Sequence, residues 1–162
     1  GTAEEIQRCL ELRTQANAVD LASALSAEIA RKQVEVEVRK RRIVVRLLDQ
    51  DAFPAESATL RAAAVTVLAR VRTALAAVPG RVSVEGHTDD VPVATARFRS
   101  NWELAASRAA AVLLELTAGG VADPARYQVV GYGQTRPLVA NDTAQNRARN
   151  RRVEIVIDQA EP

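Results

Sequence analysis

The sequence predicts a mixed α/β fold of the α+β kind: one mixed β-sheet covered by helices and preceded by a long N-terminal amphipathic helix. Two hydrophobic spacings alternate along the 162 residues. Runs with every second residue apolar indicate strands, and runs with apolar residues three and four apart indicate helices. Because the two kinds of run alternate, we expect helices and strands to share one layered core. With 48% hydrophobic residues, the chain is long enough for one compact domain.

The N-terminal segment, from Glu4 to Arg31, has apolar residues at helical spacing with charged and polar residues between them. It predicts one long amphipathic helix, or two helices with a break near Thr14 to Asn17. Since the spacing changes to two at Gln33, we divide the chain into an N-terminal linker and helix, residues 1–32, and a second domain, residues 33–162. The apolar stripe of the helix suits packing on that domain or on a second copy of the chain.

The second domain is predicted to begin with a hairpin and to continue with alternating helices and strands. The hairpin tip is Lys40-Arg41. The later elements are a helix over Ser57–Val78, a strand from Val82, a helix from about Asn101 that Ser100 and Glu103 cap, a strand over Tyr127–Tyr132, a short helix capped by Asp142 and Gln145, and a last strand over Val153–Ile157.

Composition and motifs exclude several classes of protein. Cys9 is the only cysteine, so we expect neither an intrachain disulfide nor a cysteine-based metal site. No apolar run is long enough for a membrane span. His87, Asp89 and Asp90 do not predict a metal site, because adjacent carboxylates and one histidine rarely complete a coordination sphere. No nucleophile-elbow motif accompanies His87. We therefore expect no enzyme, no metal and no cofactor.

Two arginine-rich stretches, Arg39–Arg42 and Arg147–Arg152, raise the question of nucleic-acid binding. Neither has interleaved aromatic residues or lies in a known reader motif. A solvated hairpin tip explains the first stretch, and pairing with Asp49, Asp142 or Glu154 explains part of the second. We therefore expect no nucleic-acid partner.

The candidate binding site lies at the start of the helix predicted from Asn101. Arg108 follows two turns later, within about 20° of Asn101 around the helix, with Leu104 and Ala105 on the same stripe. Asp89 lies in the preceding loop, and a helix N-terminus suits a ligand carboxylate. Asp89 is expected to bind an ammonium group while Arg108 and the helix N-terminus bind a carboxylate. The arrangement predicts a clamp for the zwitterionic head group of an amino acid.

Structural explanations of the same residues stay open. Because Ser100 already accounts for the helix cap, Asn101 can have a purely local role, and Arg108 can pair on the surface with Glu103 or Glu115. The joint spacing with Asp89 is what favours a binding site.

Several motifs also resemble a known family. The run Asn-x2-Leu-Ala-x2-Arg-Ala-x2-Val-x3-Leu over Asn101–Leu116 resembles the signature of OmpA-like peptidoglycan-binding domains. Gly86–Asp89 is similar to that family's Gly-His-Thr-Asp loop, residues 131–155 to its closing segment, and Phe53 with residues 57–60 to its early loop and helix start.

The resemblance covers roughly residues 34–157 and implies a ligand, the meso-diaminopimelate of the peptidoglycan stem peptide. By motif position, Asp89 and Arg108 bind its amino and carboxylate groups. The family's usual serine after the motif leucine is Ala105 here, so one hydroxyl is missing from the first helical turn. The implied site comprises Asp89, Arg108, Asn101, Thr88, Leu104, Ala105 and Phe53.

Within the family, the stretches around Gly86–Pro92 and Asn150–Ile157 look most like the B subunits of flagellar stators. That likeness implies the periplasmic domain of an inner-membrane protein, a homodimer, and a stator ion-channel subunit reached through a membrane segment outside this chain. A type VI secretion anchor and the wall-binding tail of an outer-membrane lipoprotein or porin remain alternatives. A rival of another class is an amidase-type wall enzyme that uses Asp89 as acid or base.

Overall fold

A five-stranded mixed sheet with helices packed against it forms the framework of the protein. The computed structural model describes residues 1–160. The helices are α1 (Thr2–Ala24), α2 (Ser26–Ala30), α3 (Asp49–Ala52), α4 (Ala62–Leu75), α5 (Asn101–Leu116) and α6 (Ala144–Asn150). The strands are β1 (Glu35–Arg39), β2 (Arg42–Leu48), β3 (Arg81–His87), β4 (Tyr127–Gly133) and β5 (Arg152–Asp158). A 3-10 turn, Pro124–Arg126, precedes β4. The predicted fold class is confirmed.

The strands lie in the order β1-β2-β5-β3-β4. Neighbours pair antiparallel except β3 and β4, which are parallel. Parallel strands need a crossover connection, and α5 provides it, packing against both β3 and β4. The start of α5 therefore lies near the carboxyl end of β3, where the predicted site residues meet.

The hydrophobic core lies between the sheet and the helices. Alternate residues of β2, β3 and β5 face it, as the period-two pattern predicts. The same cluster takes in the second half of α1, so the N-terminal helix is part of the packed structure. Core members are Ile43, Val45, Leu47, Val82, Val84, Val153, Ile155 and Ile157 from the sheet, and Leu21, Leu25, Leu68, Val71, Leu75, Ala109, Val112 and Leu116 from the helical layer.

The N-terminal helix is interrupted at Leu25, not near Thr14 to Asn17. The helix continues through Thr14, whose hydroxyl donates to the carbonyl of Leu10 at 2.8 Å. Asn17 donates from its side chain to Gln159 at 2.6 Å. Residues 1–9 and 11–13 are exposed, whereas Leu25 is fully buried. The expected boundary after residue 32 falls between α2 and β1, and the division into two functional units stays a prediction.

Two helices begin differently from the prediction. Helix α4 begins at Ala62 rather than Ser57, because the Ser57 hydroxyl accepts the backbone N–H of Thr59 at 3.0 Å and forms a turn. Helix α6 is capped by Thr143 rather than Asp142. The Thr143 hydroxyl accepts the backbone N–H three residues later at 3.0 Å.

The sheet face away from the core carries buried charges. Glu154 accepts hydrogen bonds from Nε of Arg46 at 2.8 Å and from Nε of Arg152 at 3.1 Å. Burial alone raises the pKa of Glu154, but Arg152 and Arg46 outweigh it and hold the pKa below its usual value. A groove of about 1090 Å³ lies over this face, and neither Asp89 nor Arg108 lines it.

His87 points into that groove and is 4% exposed. Within residues 1–160, neither of its ring nitrogens has a hydrogen-bond partner. Its Nε2 lies 3.7 Å from Glu154, and its ring stacks on Tyr132 with centroids 5.3 Å apart. Burial, reinforced by the neighbouring Arg152, lowers the pKa of His87 to about 4.

Part of the second arginine stretch is paired as predicted. Arg151 lies 3.4 Å from Asp49, and Arg152 bonds Glu154. Asp142, the third candidate partner, instead accepts a hydrogen bond from the side chain of Asn146 at 2.7 Å.

Helix α5 lies so close to the sheet that two strand positions require glycine. A Cβ atom at Gly86 would lie 2.0 Å from the carbonyl oxygen of Ala105, and one at Gly131 would lie 2.7 Å from the backbone nitrogen of Ala106. Both contacts involve helix backbone, which cannot swing aside as a side chain can. Gly86 and Gly131 therefore set the distance of α5 from β3 and from β4.

We expect Gly86→Ala to destabilise the protein by about 3 kcal/mol, because α5 must move away from β3. Urea unfolding measures the change. Ser83→Ala, on the same strand but facing away from α5, is the control and should change stability little. Equal stability of the Gly86 variant and wild type would contradict the close contact.

His87 predicts a loss of stability in acid. The folded state keeps the ring neutral down to about pH 4, whereas the unfolded chain takes up the proton near pH 6.5. The stabilisation that depends on the neutral His87 ring is therefore fully present above pH 6.5, and it is lost as the pH falls from 6.5 towards about 4. The slope is at most about 1.4 kcal/mol per pH unit. Since the chain has one histidine, its single imidazole NMR signal reports the midpoint directly. A midpoint near 6.5 would contradict the burial argument.

Candidate functional site

Asp89 is the second residue of the loop between β3 and α5 and is 7% exposed. Its Oδ1 accepts the backbone N–H of Val91 at 3.0 Å. Its carbonyl oxygen accepts the Thr88 hydroxyl at 2.8 Å, and the Thr88 N–H donates to the carbonyl of Gly133 at 2.8 Å. The loop therefore holds the Asp89 carboxylate in one orientation.

Asn101 fastens the same loop to the start of α5. Its amide donates to the carbonyls of Asp89 at 3.3 Å and Val91 at 3.2 Å, and its Oδ1 accepts the N–H of Val93 at 2.8 Å. The N-cap of α5 is Ser100, as predicted. The local role considered for Asn101 is thus a loop anchor, and its contact with a ligand stays a prediction.

Arg108 is buried, at 4% exposure, and its surface-pairing alternative is wrong. Its Nε donates to the carbonyl of Ser57 at 2.7 Å and its Nη2 to the carbonyl of Pro54 at 3.2 Å. Nη1 lies 2.5 Å from Oδ1 of Asp49. The guanidinium carbon stands 5.0 Å from the centre of the Phe53 ring, a cation–π contact that fits the expected place of Phe53 at the wall.

Asp89 and Arg108 are connected through two further charges. Arg151 donates from Nη1 to Oδ2 of Asp89 at 2.7 Å, and its Nε lies 3.4 Å from Oδ2 of Asp49. Asp49 in turn pairs with Arg108. The four residues form a chain of alternating charge, here called the charge chain: Arg108, Asp49, Arg151, Asp89. The two predicted ligand-binding residues are thus paired with other residues of the protein: Arg108 with Asp49, and Asp89 with Arg151.

Burial governs the electrostatics of the charge chain. It raises the pKa of the Asp49 carboxyl, and Arg108 and Arg151 offset part of that rise. It also lowers the pKa of Arg108, which Asp49 partly restores. The members thus depend on one another, because a buried charge without its partner is strongly unfavourable.

Leu104 and Ala105 lie under the helix start rather than in solvent. Leu104 is 3% exposed and Ala105 is 1% exposed. The close approach of the Ala105 carbonyl to Gly86 places this turn against β3. Both side chains are buried, and their contact with a ligand stays a prediction.

Asp49 and Arg151 were not among the sequence-predicted site residues. Both lie next to paired strand ends: Asp49 follows β2, Arg151 precedes β5, and the register sets Leu48 opposite Arg152. The backbone N–H of Asp49 donates to the carbonyl of Arg151 at 2.9 Å. The sequence signal for them is a carboxylate directly after one strand and an arginine directly before another, which becomes informative once the pairing of β2 with β5 is known.

The chain matches the OmpA family over residues 52–151, and it belongs to that family. Among curated relatives, Motility protein B of Bacillus subtilis is 31% identical over 126 residues, 77% of this chain and 48% of the relative. Peptidoglycan-binding protein ArfA of Mycobacterium tuberculosis is 40% identical over 108 residues, 66% of this chain and 32% of the relative. The chain thus spans about half or less of these relatives.

Two solved structures share the fold closely. The cell wall anchor of the type VI secretion system of Pseudomonas aeruginosa has a TM-score of 0.79 and 39% identity, covering 85% of this chain and 96% of that one. A MotB-like protein of Desulfovibrio vulgaris has a TM-score of 0.87 and 29% identity, covering 97% of this chain and 98% of that one. The resemblance inferred from the motifs is confirmed. No helix within residues 1–160 is long and apolar enough to cross a membrane.

Breaking the charge chain at Arg108 should destabilise the protein. We expect Arg108→Ala to lower the free energy of unfolding by about 3–5 kcal/mol, since it leaves Asp49 buried without its closest partner. Denaturant unfolding measures the loss. Arg99→Ala is the control. It removes an exposed ion pair between Arg99, just before α5, and Glu103 on α5, and it should leave stability unchanged. A loss as small as that of the control would show that the buried pair contributes little.

Proposed function

We propose that this domain binds peptidoglycan and grips the diaminopimelate of the stem peptide. The observation that carries the proposal is the charge chain, which holds a fixed carboxylate, the buried guanidinium of Arg108 and the partly exposed guanidinium of Arg151 in one cluster. The free amino-acid end of diaminopimelate carries the complementary ammonium and carboxylate. Asp89 takes the ammonium, the arginine side takes the carboxylate, and Asn101, Thr88, Leu104, Ala105 and Phe53 shape the site.

The proposed cellular role is to anchor a flagellar stator unit to the wall. Similarity to Motility protein B supports this role, together with the likeness of nearly the whole chain to a MotB-like structure. On this proposal the domain lies in the periplasm as part of an inner-membrane protein. It works as a homodimer and is joined to the stator ion-channel subunit through a membrane segment outside this chain.

A type VI secretion anchor is the second candidate. It is favoured by the 39% identity to the Pseudomonas wall anchor, which exceeds the 29% of the MotB-like structure. Deleting the gene separates the two: loss of swimming with normal secretion supports the stator, and the reverse supports the secretion anchor. Both candidates use the same wall-binding site.

The site proposal is tested by sedimentation with purified peptidoglycan of the diaminopimelate type. We expect Asp89→Asn to weaken binding at least about tenfold, because it removes the charge that meets the ligand ammonium while keeping the side-chain shape. Asp90→Asn is the matched control, since Asp90 is the exposed neighbour, pairing only with Arg147 at 3.5 Å. Circular dichroism checks that both variants fold.

Sedimentation of Asp89→Asn with the wall as complete as that of wild type would refute the site. The same samples test the rival amidase: the proposed binding module leaves the wall intact. Release of soluble wall fragments by wild type but not by Asp89→Asn would instead establish an enzyme.

A further inference from the structure

We propose that Arg151 is an additional ligand-binding residue that changes partner. In the free protein it neutralises Asp89. When a zwitterionic ligand end arrives, the ligand ammonium replaces Arg151 on Asp89, and Arg151 turns to the carboxylate on the same ligand carbon. This inference rests on the proposed function and names the chemical feature that the site selects.

Arg151 is the most exposed member of the charge chain. Its side chain is 34% exposed, compared with 4% for Arg108, 9% for Asp49 and 10% for Asp89. It has one short contact, Nη1 to Asp89 at 2.7 Å, and one long contact, Nε to Asp49 at 3.4 Å. Water can take over the released groups at this edge, so the Arg151–Asp89 contact is the least costly in the chain to open.

Arg108 is held much more firmly. Three of its nitrogens are used, by Asp49 and by the carbonyls of Ser57 and Pro54, and its guanidinium stands over Phe53. Moving it would separate the buried Asp49 from its closest charged partner and would remove a hydrogen bond from the carbonyls of Ser57 and Pro54. Of the two arginines, Arg151 is therefore the one able to turn, and Arg108 keeps Asp49 in place behind it.

Charge alternation determines which ligand fits. Opening the contact between Arg151 and Asp89 leaves a cation facing an anion. A group with its own ammonium and carboxylate fills that gap so that each charge again faces its opposite: Arg151, ligand carboxylate, ligand ammonium, Asp89. A ligand whose carboxylate has become an amide brings only a cation and leaves Arg151 facing it.

The site is thus expected to reject an amidated end by leaving a charge unpaired, not by steric exclusion. Both the ammonium and the free carboxylate of the diaminopimelate end are required. The preference for acid over amide depends on Arg151, whereas binding of either form depends on Asp89.

Calorimetry with two synthetic stem tripeptides tests the inference. One carries free meso-diaminopimelate and the other is amidated at the carboxylate beside the free ammonium. The proteins are wild type, Arg151→Gln and Arg149→Gln. Arg149 is a matched control because its side chain is 36% exposed and pairs with Glu35 at 2.8 Å, away from the charge chain.

We expect wild type and Arg149→Gln to bind the acid form at least about tenfold more tightly than the amide, and Arg151→Gln to lower that preference below about threefold. An unchanged preference in Arg151→Gln would overturn the role of Arg151 while leaving the proposed function standing. Failure of wild type to bind the acid tripeptide would overturn the proposed function itself. Arg151→Lys keeps the charge and should therefore retain a preference for the acid form. Loss of the preference in Arg151→Lys would show that charge pairing does not set the selectivity.

Discussion

The interior charge chain of Arg108, Asp49, Arg151 and Asp89 is the constraint on which the site depends. Its members come from α5, α3, the segment before β5 and the loop after β3. Its two arginines balance its two carboxylates, so the cluster is neutral as a whole. Because an unpaired charge in this setting is costly, the site exists only when all four segments are in place. The proposed ligand recognition and the folding stability thus depend on the same contacts.

The close packing of α5 on the sheet supports this arrangement. With glycine at positions 86 and 131, helix backbone meets strand backbone directly. The helix start is then near enough for Asn101 to fasten the Asp89 loop through three hydrogen bonds. A helix displaced by one methyl group would carry Asn101 and Arg108 away together. Packing at two glycines without side chains therefore determines where Asn101 and Arg108 lie.

Local patterns were sufficient to predict the fold class, the hairpin and the helix from Asn101, because each depends on spacing within one segment. The loop and helix motifs also identified Asp89 and Arg108, which the structure links through Asp49 and Arg151. The patterns did not predict contacts between residues far apart in the sequence. Asp49 meets Arg108, for example, only after the sheet has formed. The later start of α4 was missed for the opposite reason, since a turn at Ser57 overrides helical periodicity.

Helix α1 gives the molecule a mechanical property. Its first half is exposed, whereas its second half is embedded in the core through Ala18 and Leu21. A helix resists stretching far better than an irregular tether, and twelve exposed residues extend about 18 Å. Under the proposed anchoring role, a pull on the start of α1 would therefore reach the sheet without first straightening irregular chain.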